Sequence, residues 1–446
     1  MTLSPLTDSP NLTIAEVIAT QREFFASGAT RPLENRKAQL QKLLQMVESN
    51  ADAIMAALKS DLQKPAIEAF GSEVLTLVSE IKYAIKNLPK WIKSKPVNTP
   101  INVFPAKAMV TPEAKGCVLI IAPWNYPFQL VIAPLIGAIA AGNCAILKPS
   151  EHTPHTAALI TELIHATFEP GWVRVITGGI ETSQALLAAR FDHIFFTGGT
   201  AVGKIVMAAA AKHLTPVTLE LGGKSPCIID SQCNLNLTAK RIVWGKFYNC
   251  GQTCVAPDYV LVPEALQESL LKHMVNYVRR FYTEQPQTSP DYARIVNEVQ
   301  FDRLTGLLQS AQQGKLHAGG NYNRGEKYIA PTIIELGSIS DAQDLPIMQE
   351  EIFGPILPIL TYQNFDEAIN FVRSREKPLA LYIFSNNKAN QDRVLREISF
   401  GGGCINDTIL HLVPSELPFG GIGYSGIGQY SGKYSFDTFS HYKGIL

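Results

Sequence analysis

Between Lys115 and Gly223 the chain alternates short apolar runs with helical stretches, and this alternation limits the fold more than any other feature. The runs fall at 117–122, 144–147, 173–176, 193–196 and 217–219, and the helical stretches at 127–141, 154–168, 181–189 and 201–213. Short, continuously apolar strands are buried on both faces, and when helices separate them they form a parallel, doubly wound sheet. Ligands of such sheets collect beyond the carboxyl ends of the strands. At those ends stand Pro123-Trp124-Asn125, Lys148-Pro149-Ser150-Glu151, Thr177-Gly178-Gly179, Thr197-Gly198-Gly199-Thr200 and Glu220-Leu221-Gly222-Gly223. Each alone is ordinary turn chemistry. Together on one sheet edge they mark a binding site.

A second α/β set follows Gly223, with strands expected at 227–229, 260–262, 356–360, 381–384 and 404–406. Its helices are expected at 263–281, 299–311, 365–373 and 387–396. Residues 13–93 read as packing helices, because Leu40, Leu43, Leu44 and Val47 repeat at one helical face. Pro96, Pro100 and Pro105 then impose an extended arm or hairpin on 95–110. The nearly apolar stretch 128–147 approaches a membrane span in length, but Pro134, Gly142 and Asn143 interrupt it. A helix to about Ala141, a turn and a buried strand are expected there instead. The first residues, MTLSPLTDSPN, lack the basic and apolar regions of a secretory signal. Lys+Arg and Asp+Glu balance at 39 each, which gives no reason for a nucleic-acid partner. The 7 scattered cysteines suit a reduced compartment better than a disulfide framework.

The chemistry concentrates in WGKFYNCGQTCVAPDY, residues 244–259. A helical run stops at Asn249 and Gly251, and Cys254 follows in a polar turn whose N–H groups are expected to favour the thiolate. Taken alone, Cys250 and Cys254 read first as small buried residues, and only the rest of the sequence lifts the functional reading. No second Cys or His pair lies at ligand spacing, so no metal site is expected. The G-x-T-x-x-G run from Gly198 to Gly203 places glycines where a helix N-terminus favours phosphates, although it departs from the G-x-G-x-x-G fingerprint. Lys148 and Glu151 are placed to meet a ribose, or serve as a surface lysine and a helix cap. Glu220 ends a buried strand, where burial raises a carboxyl toward use as a base, or it pairs with Lys224. Asn125 offers an amide N–H to an oxyanion, or caps the helix beginning at Pro127.

These residues carry a resemblance. PWNYP with Asn125, KPSE with Lys148, Gly198–Gly203, LELGGK with Glu220, FYNCGQTC with Cys254 and EEIFGP with Glu351 occur in the order found in the aldehyde dehydrogenase superfamily. The similarity covers nearly the whole chain, and GQTCVAPDYV and PFGGIGYSGIGQYSGKYSFDTFSH resemble the class 3 branch, which includes fatty and aromatic aldehyde dehydrogenases. The resemblance implies an α/β fold of two doubly wound domains and a small β-rich oligomerisation arm. The NAD(P)-binding domain would comprise 1–94 and 112–221, the catalytic domain 222–405, and the arm and tail 95–111 and 406–446. It implies oxidation of an aldehyde to its acid, with Cys254 as nucleophile, Glu220 as base and Asn125 as oxyanion donor. Pro123, Trp124, Lys148, Glu151, Gly198, Gly199, Thr200, Gly203, Leu221, Glu351 and Phe353 would hold the cofactor, Glu351 on the nicotinamide ribose and Phe353 beside the ring. NAD is the expected cofactor, since Glu151 accepts from a 2′-hydroxyl and repels a 2′-phosphate, with NADP also accepted. A homodimer is implied. An apolar entrance of Tyr126, Phe128, Leu130, Ile409 and Leu410 points to medium or long aliphatic, aromatic or isoprenoid aldehydes. The alternatives are release of the acyl group to coenzyme A, or a silent member acting as a binding protein. With no hydrophobic anchor before Leu446, a soluble cytoplasmic protein is expected.

Overall fold

The computed structural model describes residues 13–446, so the reading of MTLSPLTDSPN lies outside the described residues. The first sheet has the strand order Gly426–Ile427, Val217–Glu220, His193–Thr197, Cys117–Ile121, Cys144–Lys148 and Val173–Val175. All its pairings are parallel except that of Gly426–Ile427. Cys117–Ile121 and Cys144–Lys148 are buried at every position, which is why they carry no polar alternation. The helix Gln129–Ala141 is apolar all round because it packs in one core with both the sheet and the helices between Leu33 and Trp91. Gly142, at φ 91°, ends that helix in the left-handed conformation glycine adopts without strain. The apolar stretch 128–147 is therefore a helix, a turn and a strand. Among the described residues no helix is long and apolar enough to cross a membrane.

The second sheet runs Lys315–Ala318, Thr332–Ser338, Ile356–Tyr362, Tyr259–Pro263, Pro226–Ile229, Ala380–Phe384 and Gly402–Ile405. It is parallel apart from the edge strand Lys315–Ala318. That edge strand and its neighbour Thr332–Ser338 are absent from the sequence reading. Lys315 and Leu316 are exposed, and Thr332–Ser338 follows Pro331 and itself ends on Gly337-Ser338, which reads as a turn signal.

A third, antiparallel sheet joins Lys95–Val97, Ala108–Ala114 and Ser440–Ile445. Its middle strand runs across residues 111 and 112. The tail beyond 406 does three things. It adds Gly426–Ile427 to the first sheet, packs the helix Gly432–Thr438 on Gln129–Ala141, and closes the arm with Ser440–Ile445. The helices approach closely at Gly137, where a Cβ would stand 2.7 Å from that of Ser435. Gly426 pairs with Glu220, and Leu221 N–H donates to the Ser425 carbonyl at 3.1 Å. The tail thereby fixes the strand end that carries Glu220.

Candidate active site

The helix Leu235–Phe247 stops at an abrupt change of backbone hand. Asn249 and Cys250 both lie in the left-handed region, at φ 53° and 55°, and Gly251 follows at φ 72°. Non-glycine residues there are strained, and such strain persists where the surroundings over-determine it. Here the surroundings do. Asn249 N–H donates to Glu68 Oε2 at 2.9 Å, and Asn249 Nδ2 donates to the carbonyls of Asn125 at 2.8 Å and Gln252 at 3.1 Å. Gln252 Nε2 donates to the Asn249 and Arg294 carbonyls, while its Oε1 accepts from Val296 N–H at 3.0 Å. A Cβ on Gly251 would collide with the Gly354 carbonyl. The turn buries Cys250 completely and leaves Cys254 at a cavity wall.

That cavity encloses about 520 Å³, and Cys254, Glu220 and Asn125 share it. Glu220 is buried, and neither carboxyl oxygen has a hydrogen-bond partner. Burial alone pushes its pKa well above the ordinary value, toward the range of a base that works near neutral pH. Pairing with Lys224 does not occur. Lys224 bonds Asp258 and the Ile347 and Glu350 carbonyls at 2.9 and 2.8 Å. Asn125 is buried and donates from Nδ2 to the Gln252 carbonyl at 3.1 Å. It does not cap the following helix. The N–H groups of Phe128 and Gln129 go to Glu73 Oε2, at 2.9 and 3.2 Å.

The expectation of a favoured thiolate at Cys254 is corrected. Burial raises this thiol, the charges of Glu351 and Glu220 raise it further, and the N–H groups of Cys254 and Val255 oppose them only in part. Its resting form is the thiol.

The remainder of the cavity suits a nucleotide cofactor. Pro123, Trp124, Gly198, Gly199, Thr200, Leu221, Glu351 and Phe353 also line it. A Cβ on Gly199 would meet nothing, so this backbone is open to close approach, and Thr200 begins the helix Thr200–Ala211. Buried polar atoms without partners, Asn125 Oδ1 and Thr197 Oγ1, belong to lining residues, as a polar ligand would require. Trp124 and Phe353 meet edge to face at 5.3 Å. Three residues of the sequence reading stand apart from the lining: Lys148, Glu151 and Gly203. Lys148 Nζ donates to Glu151 Oε2 at 2.6 Å, and Gly203 lets its helix sit on Leu221, where a Cβ would meet a side-chain methyl at 2.6 Å.

Of the expected entrance residues, Leu130 lines the cavity, but Phe128 is wholly buried in the helical layer and borders no entrance. Tyr126 shares a hydrogen bond with Thr253 Oγ1 at 2.7 Å. Ile409 is buried and Leu410 is exposed. Sequence reasoning missed Gln300, Arg303 and Leu379 on the wall and the buried Lys64, Glu68 and Glu73 behind it. No local signal marks Lys64, since a lysine just past a helix C-terminus is ordinary for a solvated face.

Comparison with known proteins identifies the family. The model of the aldehyde dehydrogenase family matches residues 5–445. The chain is 51% identical to 4,4′-diaponeurosporen-aldehyde dehydrogenase of Staphylococcus aureus, over 95% of this chain and 92% of that protein. It is 49% identical to aldehyde dehydrogenase family 3 member A2 of Pongo abelii, over 95% and 86%. Among solved structures, the substrate-bound state of Staphylococcus aureus AldH superposes with a TM-score of 0.94 at 50% identity, covering 97% of this chain and 94% of that one. A Mycobacterium tuberculosis aldehyde dehydrogenase complexed with NAD+ superposes at 0.87 with 27% identity, covering 98% and 91%. The chain belongs to the aldehyde dehydrogenase family, is similar to its class 3 members, and is an NAD-dependent oxidoreductase that converts aldehydes to carboxylic acids.

Proposed function

We propose that this dehydrogenase acts on medium or long aliphatic, aromatic or isoprenoid aldehydes, with Cys254 as nucleophile and Glu220 as the base for hydrolysis. The observation that carries the reading is the unpartnered Glu220 carboxyl sharing one cavity with Cys254 and Asn125. Cys254, once deprotonated, adds through Sγ to the aldehyde carbon. Asn125 Nδ2 and the Cys254 N–H stabilise the resulting oxyanion. NAD, when bound, would supply the acceptor for the hydride that leaves the adduct carbon, and the acyl group would then remain on Cys254 Sγ as a thioester. Ionised Glu220 then takes a proton from the water that attacks the thioester carbon, the carboxylic acid leaves, and the Cys254 thiol re-forms.

Gly198, Gly199 and Thr200 would hold the cofactor phosphates, Lys148 and Glu151 the adenine-side ribose, and Glu351 the other ribose. Phe353 and Trp124 would border the nicotinamide, with Pro123, Leu221 and Gly203 shaping the cradle. Lys148 already offsets the Glu151 charge, which favours tolerance of NADP beside NAD. The first sheet serves as the nucleotide unit, the second as the catalytic unit, and the arm joins two copies. The exposed Ile101 and Phe104 beside the arm strands favour that homodimer. Free cysteines throughout the described residues suit a cytoplasmic protein.

The substrate reading rests on Leu130 and Leu379, the apolar part of the cavity wall not given to the cofactor, and on the substrate for which the Staphylococcus aureus relative is named. A series of aldehydes of increasing chain length tests it. The expected result is kcat/KM rising from acetaldehyde to long-chain aldehydes, and a maximum at acetaldehyde or glyceraldehyde 3-phosphate would overturn it.

A further inference from the structure

The buried charges behind the cavity wall have no part in the chemistry described above. They converge on one helical segment. Ala66–Ala69 is α-helical, Phe70–Leu75 is a π turn, and Thr76–Trp91 continues as α-helix. An ideal α-helix leaves residues five apart on faces roughly 140° from each other, and a π turn reduces that separation. Glu68 and Glu73 consequently both turn inward, and both are buried.

Each carboxylate reaches a different half of the site. Glu68 Oε2 accepts from Asn249 N–H at 2.9 Å, the first residue of the left-handed pair before Cys254. Tyr248 Oη adds a bond to the Glu68 carbonyl at 3.1 Å. Glu73 pairs through Oε1 with Lys64 Nζ, and its Oε2 takes the Phe128 and Gln129 N–H groups. Lys64 Nζ in turn donates to the Asn125 carbonyl at 3.1 Å. Asn249 Nδ2 reaches that carbonyl too, at 2.8 Å, so the two supports meet at Asn125.

We infer that Glu68 and Glu73 are positioning residues, which hold the Cys254 turn and the Asn125 amide in register from a single π-containing helical segment. The inference rests on the assignment of Cys254 and Asn125 made above. It has a mechanistic consequence. Both oxyanion donors act when the thiolate adds to the aldehyde, so losing the support slows the first turnover and leaves cofactor affinity alone. Displacement of reacting groups by about 1 Å costs on the order of 10²-fold in rate.

The test is single-turnover reduction of NAD by a long-chain aldehyde in wild type, Glu68→Ala, Glu68→Asp and Glu68→Gln. Rates are normalised to active sites counted by the burst. Asp keeps the carboxyl group but is one methylene too short for Asn249 N–H, and it serves if the Ala variant does not fold. Gln keeps the length and an acceptor oxygen. The expected result is a first-turnover rate about 10²-fold lower in Ala and Asp, recovery to within a few-fold in Gln, and unchanged NAD affinity by fluorescence titration. A purely structural role would lower the number of active sites but not the rate per site, and that outcome overturns the inference. So does a Gln variant as slow as Asp. Wild-type enzyme that gives no aldehyde-dependent reduction would instead sink the underlying assignment, which separates the two failures.

Discussion

At the scale of single residues, burial disfavours the charged forms of both reactive groups. Burial and then the carboxyls of Glu351 and Glu220 push the Cys254 thiol up, and burial without partners pushes Glu220 up. The sign for pH dependence follows directly. Both groups need to lose a proton to act, and both pKa values are raised, so reactivity climbs as pH rises above neutral. Only the thiolate is alkylated. In the cofactor-free enzyme, iodoacetamide should therefore label Cys254 slowly at pH 7 and about tenfold faster for each further pH unit. Peptide mass spectrometry would follow the label, and a rate already level by pH 8 would contradict the resting thiol.

At the scale of elements, the catalytic turn depends on a backbone shape rather than on side-chain volume. Gly251 sits at φ 72° with the Gly354 carbonyl against the place where a Cβ would go. Gly251→Ala should destabilise the protein by at least ~2 kcal/mol and reduce turnover, because strain and collision act together. Urea unfolding would check the first and steady-state assay the second. Wild-type values in both would mean that the turn relaxes freely.

The same elements show what a sequence reveals. The strands of the first sheet, and the helices between them, were legible because doubly buried strands leave uninterrupted apolar runs. Cys254, Glu220 and Asn125, which the fold brings to one cavity, each stand at a break in pattern within three residues of a glycine or proline. Thr332–Ser338 was hidden by flanking turn residues. Glu68 and Glu73 were hidden for a different reason: on an amphipathic helix an inward glutamate looks like an outward one. Only the π turn and the partners on Asn249 and Lys64 distinguish them, and neither is written locally. The thiol state of Cys254 was misjudged because the turn's N–H groups are local, whereas the burial that chiefly raises the thiol, and the carboxyls of Glu351 and Glu220 that add to it, come from parts distant in the chain.

At the scale of the whole molecule, the site lies where two parallel sheets and the tail come together, and carboxyls buried there make stability sensitive to pH. Burial raises Glu68 to about 8 and Glu80 to about 7. An unfolded glutamate titrates near 4.3. The folded state thus binds these protons more tightly, and the stability present below about pH 4.5 is lost as pH rises through 7 and 8, at up to about 1.4 kcal/mol per unit for one proton. Between pH 6 and pH 9 wild type should lose more urea resistance than Glu68→Gln, which carries no titrating group at that position. Parallel losses would show that Glu68 does not titrate there.

The central claim is the division of labour between Cys254 and Glu220, and rapid mixing of Glu220→Gln with NAD and a long-chain aldehyde tests it most directly. Gln keeps the size of Glu220 and removes its basicity, so acylation should proceed once while hydrolysis stalls. The expected result is a single burst of reduced cofactor, a steady rate ~10²–10⁴-fold below wild type, and an intact-mass adduct that maps to Cys254. Undiminished steady turnover, or an acyl group on any other cysteine, would contradict it.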